Sequence, residues 1–336
     1  MSDDAARTLL HPFRTGGLPA PGTGVRALFV GARPGFELPE DFAAGLTLVQ
    51  GFRPDFLALE RQGHAVRPEP EGDGYDLALV LAGRHRAETD ARIADALRRL
   101  APGGMLVAAA AKEDGGDSLR KRWTALLPEA EHLSKHHGVV FWGKRPVTLP
   151  EDAAQETTTV DGRFTTASGM FSHGEVDAAS RMLADALPAD IKGAVADFGA
   201  GWGYLAARVA ERLDRVSTLH LYEADFASCA AARANLAPIA GSRAVEIVWA
   251  DVTAEKPLQR YDAIVMNPPF HGLGRKADPA IGAAMIAAAS AALKPGGRLF
   301  MVANRQLPYE AALKKGFGAV EELPGDGRFK LFAARR

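Results

Sequence analysis

The sequence predicts an α/β protein of two tandem, doubly wound domains, each built on a mostly parallel sheet. Apolar, strand-like runs alternate with helical stretches, which is the order that parallel sheets require. This order occurs twice along the chain. In the second copy a glycine-rich turn follows the first strand and acidic residues stand at the next strand ends, as in sheets that bind nucleotides.

Each half of the chain contains the same elements in the same order. Both halves contain an apolar run before a glycine turn, a strand beginning with Tyr-Asp, a helix, a Pro-Gly-Gly turn and a further strand. The matching stretches are VRALFVGARPG (25–35) with GAVADFGAGWG (193–203), YDLALVLAG (75–83) with YDAIVMNPP (261–269), and LRRLAPGGMLVAAA (97–110) with AALKPGGRLFMVAN (291–304). We therefore predict a duplicated α/β unit.

The residues that could carry chemistry occur in only one of the two copies. The first glycine turn keeps Gly31 and Gly35 but lacks a preceding aspartate, and residues 81–84 (LAGR) stand opposite 267–270 (NPPF). We predict that the first domain, 1–150, is a degenerate copy without a cofactor site and that the second, 151–336, carries the site. The polar, proline-containing run 144–160 is the expected linker.

Composition limits the classes of protein that need to be considered. A chain of 336 residues is long enough for two domains with separate cores. Its apolar runs are shorter than the roughly 20 residues that span a bilayer, and its start has no signal-peptide pattern. We therefore expect a cytoplasmic protein with no membrane partner. The single cysteine, Cys229, excludes an internal disulfide and a cysteine zinc site, and no metal is predicted.

The second half begins its site with the run GAVADFGAGWGYLAARVAERL. Residues 194–198 are predicted as a strand and 205–213 as a helix. The turn between them contains Gly199, Gly201 and Gly203. Because glycine has no side chain and tolerates positive φ, such a turn lets a ligand approach the backbone closely.

Acidic residues stand at the ends of the predicted strands. Glu223 ends the second strand, 24 residues after Gly199, where a carboxylate can accept hydrogen bonds from both ribose hydroxyls of an adenosine. Asp251 ends the third strand, in a position to receive an adenine amino group. Asp197 precedes the glycines and would repel a pyrophosphate, which favours the positively charged S-adenosylmethionine over a dinucleotide. Strand-end capping is the alternative role for Glu223 and Asp251.

The run VMNPPFHG at 265–272 ends the fourth strand with a stiff segment, since proline lacks an N–H and restricts the residue before it. Ligands of open α/β sheets bind beyond the carboxyl ends of the strands. The Asn267 amide oxygen and the Pro268 carbonyl can accept hydrogen bonds from a planar exocyclic amine, and Phe270 can stack on its ring. We predict that these residues promote methyl transfer mainly by orienting the amine.

This combination of an acid, a glycine turn, two further acids and NPPF resembles the class I methyltransferases that act on exocyclic or planar nitrogens. Within that class, GMFSHGEVDAASRML, NPPFHG, VANRQLPY and GRFKLFAARR resemble the small-subunit ribosomal RNA guanine-N2 methyltransferases. In that family a full methyltransferase domain also follows a degenerate duplicate. The resemblance is close from about Ser168 onward and implies Rossmann-like domains, with an antiparallel last strand formed by a hairpin around LPGDGR (323–328).

The resemblance also implies roles for individual residues. Those expected to contact S-adenosylmethionine are Phe171, Asp197, Gly199, Gly201, Gly203, Glu223, Asp251 and Asn267. Those expected to act in catalysis are Asn267, Pro268 and Phe270, and those expected to contact the substrate are Pro269, Phe270, His271, Phe329 and Lys330. A core aromatic remains the alternative for Phe171.

The predicted reaction is transfer of a methyl group from S-adenosylmethionine to N2 of a guanine in small-subunit ribosomal RNA, by a monomer. The net charge of −1 is low for a protein that binds RNA, so the contact must depend on local clusters such as Arg120, Lys121 and Arg122. The same motif also fits methylation of large-subunit RNA guanine, DNA adenine or protein glutamine. A non-catalytic, RNA-binding ribosome assembly factor is the alternative from another class.

Overall fold

The computed structural model describes residues 4–83, 85–149, 157–269 and 279–336. The chain divides into two compact units. Unit 1 comprises Met1–Glu156 together with Ala167–Gly169, and unit 2 comprises Thr157–Thr166 together with Met170–Arg336. Apart from Ala167–Gly169, the two units follow one another along the chain.

Unit 1 alternates strands and helices. In chain order, its elements within the described residues are α1 (Asp4–Thr15), β1 (Arg26–Val30), β2 (Gly45–Val49), α2 (Arg53–Arg61), β3 (Val66–Arg67), β4 (Tyr75–Leu81), α3 (Arg86–Arg99), β5 (Leu100–Ala111), α4 (Gly116–Thr124), β6 (Glu131–Lys135) and β7 (Gly138–Lys144). A short 3-10 turn, Lys112–Asp114, precedes α4.

Unit 2 begins with a small hairpin and then alternates in the same way. In chain order, its elements within the described residues are β8 (Thr157–Val160), β9 (Phe164–Ala167), α5 (Ala178–Ala186), β10 (Gly193–Phe198), α6 (Tyr204–Arg212), β11 (Val216–Glu223), α7 (Phe226–Leu236), β12 (Ala244–Trp249), β13 (Tyr261–Met266), α8 (Pro279–Ala292), β14 (Leu293–Asn304), α9 (Glu310–Gly316), β15 (Ala319–Leu323) and β16 (Phe329–Arg335). Among the described helices, none combines the length and apolarity needed to cross a membrane.

The two seven-stranded sheets have the same topology, which confirms the predicted fold class. Their strand orders are β3-β2-β1-β4-β5-β7-β6 and β12-β11-β10-β13-β14-β16-β15. Neighbouring strands run parallel except at one edge, where β7 and β16 are antiparallel to both of their neighbours. The hairpin predicted around 323–328 joins β15 to β16. The central strands are buried along almost their whole length, as expected where helices cover both faces of a sheet.

The Tyr-Asp pair has the same structural role in both units. Asp76 accepts a hydrogen bond from the Arg26 backbone N–H at 2.8 Å, and Asp262 accepts one from Ala194 at 2.8 Å. Each aspartate therefore ties the start of its own strand to the start of the neighbouring central strand. This repeated contact is independent of any ligand, which explains why both copies contain the pair.

The sequence predicts that the two Pro-Gly-Gly segments are turns between a helix and a strand. In the structure they are not separate turns outside the sheet. They lie inside β5 and β14, where the strand pairing shifts register. Gly297 passes so close to the neighbouring strand that a Cβ would lie 3.0 Å from the Tyr261 carbonyl oxygen, and Gly104 stands in the same relation to Tyr75. The prediction was wrong because the sequence pattern does not show this close approach between strands.

Gly282 of α8 makes room for a buried aromatic ring, and its replacement by alanine is expected to destabilise the protein. A Cβ there would lie 2.1 Å from the hydroxyl oxygen of Tyr309, which is 1% exposed. Alanine in a helix interior ordinarily stabilises by about 1 kcal/mol relative to glycine, whereas forcing extra atoms into a packed core costs about 1–3 kcal/mol. We therefore expect a lower free energy of unfolding in urea, partly restored by adding Tyr309→Leu. A Gly282→Ala variant as stable as the wild type would contradict this packing argument.

Candidate active site

The carboxyl ends of four adjacent parallel strands meet at one edge of the unit 2 sheet. Strand register places Phe198 of β10 beside Tyr222 of β11 and Met266 of β13. Glu223 at the end of β11 pairs in turn with Trp249, the last residue of β12. The residues just after these strands therefore lie along one crevice, as the topology of open α/β sheets requires.

The predicted glycine turn lies at this edge and its glycines have different roles. All three have positive φ: 75° at Gly199, 54° at Gly201 and 94° at Gly203. A Cβ on Gly201 would have no described atom within 4 Å, so its backbone is open to a ligand, whereas a Cβ on Gly203 would lie 2.7 Å from Leu236 of α7. Gly203 is thus required for packing, and a direct contact with the cofactor stays a prediction.

Asp197 is a fully buried carboxylate on β10 with one unused oxygen. Its Oδ2 accepts a hydrogen bond from the Ala206 backbone N–H at 3.0 Å, while Oδ1 is buried without a partner among the described residues. Burial raises the pKa of Asp197 to about 8. A buried carboxylate without a counter-charge is costly, so a cationic group reaching Oδ1 would be strongly favoured.

The Glu223 carboxylate joins the glycine turn to the start of α7. Its Oε2 accepts from the Gly201 N–H at 2.7 Å and its Oε1 from the Asp225 N–H at 2.8 Å. Burial raises the pKa of Glu223 to about 7. Each carboxylate oxygen can accept a second hydrogen bond, so these backbone contacts orient the group and still leave capacity for ribose hydroxyls.

Asp251 lies two residues beyond the end of β12, rather than at its last residue as predicted. Its Oδ1 accepts hydrogen bonds from the Thr253 N–H at 2.9 Å and the Thr253 hydroxyl at 2.6 Å. These bonds form a turn of the kind that aspartate commonly makes. The capping alternative is therefore realised here, and a further bond to adenine stays a prediction.

The Asn267 side chain is held by residues at the start of α5. Its Nδ2 donates to Asp177 Oδ2 at 2.9 Å and to Ser180 Oγ at 2.9 Å. Asp177 also caps α5 by accepting from the Ser180 N–H at 2.7 Å. Pro268 is buried, whereas Pro269 is exposed. Asp177 and Ser180 were not among the predicted site residues; their Asp-x-x-Ser spacing at the start of a helix is the signal that was available.

Trp202 anchors the segment that contains Phe171. Its indole N–H donates to the Phe171 carbonyl at 2.9 Å, and its ring lies 5.2 Å from that of Phe164. Asn235 of α7 adds a hydrogen bond to the Trp202 carbonyl at 2.9 Å. The Phe171 side chain itself is 54% exposed, which excludes the alternative of a core aromatic.

Other predicted substrate residues lie at the antiparallel edge or outside the described residues. Phe329 pairs with Asn304, the last residue of β14, and is partly buried. Lys330 is 6% exposed, and its ammonium donates to the Leu307 carbonyl at 3.0 Å and to Glu310. These bonds occupy the ammonium, so its contact with a substrate stays a prediction. Phe270 and His271 lie outside the described residues.

The corresponding edge of unit 1 has the same backbone with different side chains. Gln50 replaces Glu223: it accepts from the Phe52 N–H at 2.8 Å, but its amide donates to the Ala32 carbonyl at 2.7 Å. Phe29 occupies the place of Asp197, and the Phe36 ring packs against it at 5.3 Å. The edge of unit 1 therefore presents an amide and aromatic rings where unit 2 presents two carboxylates.

Two carboxylates, those of Asp197 and Glu223, lie at this edge of the unit 2 sheet. Within the described ranges, no group of three or more His, Cys, Asp or Glu side chains is placed to hold a metal.

The doubly wound sheet with its antiparallel edge, glycine turn and strand-end acids is the Rossmann-like methyltransferase fold. Residues 161–333 match the model of the methyltransferase small domain, and the chain belongs to that family.

Named relatives and a solved structure agree with this family. The chain is 33% identical over 213 residues to the "Ribosomal RNA small subunit methyltransferase C" of Yersinia pestis (strain Pestoides F), covering 62% of this chain and 58% of that protein. It is 28% identical over 273 residues to the protein of the same name from Shewanella pealeana, covering 79% and 78%. The chain thus spans little more than half the length of the Yersinia relative.

The structural comparison extends over both units. The T. thermophilus 16S rRNA N2 G1207 methyltransferase (RsmC), solved in complex with AdoMet and guanosine, superimposes with a TM-score of 0.82 and 28% identity, covering 99% of this chain and 92% of that chain. Both units of this chain are therefore similar in fold to that protein.

Proposed function

We propose that the protein transfers a methyl group from S-adenosylmethionine to the exocyclic N2 of a guanine in small-subunit ribosomal RNA. The observation that carries this proposal is the position of Asn267 and its two prolines at the same sheet edge as Asp197 and Glu223. The names of the similar proteins, which specify a small-subunit RNA and N2 of one guanine, support the same reaction.

The crevice fits S-adenosylmethionine in three respects. The buried, unpartnered Oδ1 of Asp197 can accept from a ligand ammonium, the open face of Gly201 admits a ligand to the backbone, and Glu223 can accept from ribose hydroxyls. Bound S-adenosylmethionine supplies an electrophilic methyl group. The remaining proposed contacts are Gly199, Gly203, Asp251, Asn267 and Phe171.

Asn267 would orient the amine that receives the methyl group. Because a carboxylate only accepts hydrogen bonds, the amide must turn Nδ2 toward Asp177, which leaves Oδ1 on its opposite side. Oδ1 and the Pro268 carbonyl would accept the two N–H groups of the guanine amine and hold its lone pair toward the methyl group. The advantage comes from positioning in a site whose acceptors are already in place.

The target base has to leave its stack before it can enter this crevice. N2 of guanine lies on the minor-groove edge, and extruding a base costs a few kcal/mol. Stacking on Phe270 would offset part of that cost, and Pro269, His271, Phe329 and Lys330 are the other proposed substrate contacts. We propose that the enzyme acts in the cytoplasm as a monomer.

Unit 1 would contribute a basic surface for RNA. Arg122 of α4 is paired with Asp90 at 2.9 Å, which leaves Arg120 and Lys121 as the better candidates for phosphate contacts. Arg120→Ala/Lys121→Ala is expected to weaken RNA binding and to flatten its dependence on log salt by about 0.9 per lost phosphate contact. Lys314→Ala/Lys315→Ala on α9 is the control of equal charge. Equal salt slopes for the two variants would count against this surface.

Transfer of tritium from labelled S-adenosylmethionine tests the reaction itself. Purified small subunits, large subunits, DNA and bulk protein are the acceptors, and digestion of the labelled RNA identifies the product. N2-methylguanine from small-subunit RNA is the expected result. Label in large subunits, DNA or protein would replace the proposed substrate with that acceptor. No label in any acceptor, although the cofactor binds, would favour the non-catalytic assembly factor.

A further inference from the structure

We propose that Asp177 is a positioning residue for methyl transfer, acting through Asn267. This inference rests on the function proposed above. Asp177 has an ordinary structural role as the N-cap of α5, where it accepts from the Ser180 N–H at 2.7 Å. The same oxygen, Oδ2, also accepts from Asn267 Nδ2 at 2.9 Å. A single oxygen therefore links the start of the helix to the amide at the end of β13.

Asp177 and Ser180 accept the two hydrogen bonds that the Asn267 amide nitrogen donates. One N–H points to Asp177 Oδ2 and the other to Ser180 Oγ, each at 2.9 Å. An amide with both N–H groups bound cannot rotate without breaking them, and a rotation by half a turn would bring Oδ1 against the carboxylate. Asp177 thus selects the one orientation in which Oδ1 is free to face a substrate amine.

The charge of Asp177 has a second effect on the same amide. A hydrogen bond to an ionised acceptor is stronger than a neutral one, and hydrogen bonds in a chain polarise one another. The carboxylate draws positive charge toward Nδ2, and Oδ1 becomes more negative. Asn267 therefore becomes a better acceptor for an amine N–H without changing its position.

The matching strand end of unit 1 carries an apolar residue in place of the amide. Leu81 stands where unit 2 has Asn267, because Val80 pairs with Val30 as Met266 pairs with Phe198. Leu81 is buried and has no side-chain polar group to orient. The first helix of unit 1 also begins at an aspartate, Asp4, so what unit 2 adds is the Asn267 amide with which its helix-capping aspartate forms a hydrogen bond.

The Asp177→Ser variant separates the role of Asp177 in orienting Asn267 from its role as the N-cap of α5. Serine caps helices about as well as aspartate, so the melting temperature should stay near that of the wild type. Its shorter, uncharged side chain would release the amide, and kcat at saturating S-adenosylmethionine should fall roughly 10- to 100-fold, as misplaced groups do. KM for RNA and the dissociation constant of the cofactor should change little.

Two further variants test the same role of Asp177 if the Asp177→Ser protein folds poorly. Asp177→Asn retains both the cap and an acceptor but loses the charge, and it should give a smaller loss of kcat. Asp177→Ser in an Asn267→Ala background should give no further loss, because residues that act as a unit are not additive.

The outcomes for Asp177 and for the proposed function are distinguishable. Wild-type kcat in folded Asp177→Ser, or a full additional loss in the Asn267→Ala background, would overturn the positioning role while the proposed function stands. A wild-type protein that does not methylate RNA would instead overturn the proposed function, and with it this inference.

Discussion

Asn267→Ala is expected to lower kcat for methyl transfer by about 10²–10³-fold, the range found when one preorganised hydrogen-bonding group is removed from an active site. The variant loses the Oδ1 acceptor that would orient the amine, together with the bonds from Nδ2 to Asp177 and Ser180. Asp197 and Glu223 are unaffected, so cofactor binding should persist. The measurement is single-turnover tritium transfer to small subunits, beside equilibrium dialysis of S-adenosylmethionine.

Asn267→Gln tests whether the position of the amide oxygen matters, or only the presence of an amide group. Glutamine has the same amide on a side chain that is one methylene longer, so its oxygen would be displaced from the position that Asp177 and Ser180 define. A displacement of this size is enough to cost about 10²-fold in a positioned reaction. If Asn267→Gln kept wild-type kcat, precise orientation of the amine would not be the source of the rate.

Between about pH 4 and pH 8 the ligand-free protein is expected to lose stability through Asp197. Burial raises its folded-state pKa from 3.8 to about 8. Below pH 3.8 both states are protonated and this contribution is fully present; as the pH rises toward 8 the unfolded chain loses the proton first, so the contribution disappears. The slope is at most about 1.4 kcal/mol per pH unit.

Asp197→Asn should remove that slope and also abolish cofactor binding. Asparagine cannot ionise, so above pH 7 the free energy of unfolding should exceed that of the wild type, despite one poorly satisfied amide. It also cannot provide the negative charge that a ligand ammonium requires. Urea unfolding at pH 5, 6, 7 and 8 measures the difference in slope between the two proteins, which isolates Asp197 from other titrating groups.

Saturating S-adenosylmethionine provides the internal control for this prediction. A bound cation would stabilise the ionised carboxylate, so the wild-type slope should become shallower, while the variant should not respond. Without ligand, the free energy of unfolding of the wild type and of Asp197→Asn could instead change with pH by the same amount. That result would mean that the Asp197 carboxylate is paired in solution, and it would contradict the proposed role of its Oδ1.

The features recoverable from sequence were those encoded over a few consecutive residues. Apolar runs that contain Asp197, end at Glu223 or stop just before Asn267 predicted strands, and the glycines predicted a turn with positive φ, because burial and backbone freedom act locally. Two copies of one pattern predicted two sheets of one topology. The observed strand orders and the antiparallel edge confirm that prediction.

Errors and omissions arose where one segment meets another far away in sequence. The Pro-Gly-Gly segments were predicted as turns because their close approach to β4 and β13 leaves no local signature. The hydrogen bond from the Trp202 indole to the Phe171 carbonyl joins residues 31 positions apart and was not predicted. The contacts of the Lys330 ammonium with Leu307 and Glu310 likewise depend on residues 20 or more positions away, and its substrate contact stays a prediction.

The sequence by itself determined the fold class, the duplication, and the strand ends at which the proposed site residues stand. Only the tertiary structure decided how those groups are held: Asn267 is hydrogen-bonded to Asp177, 90 positions earlier in the chain, and Asp197 has one oxygen that is hydrogen-bonded and one without a partner among the described residues. Hydrogen bonds depend on distances of about 3 Å and on direction. Such distances between remote residues are set only when packed helices and strands bring their ends together.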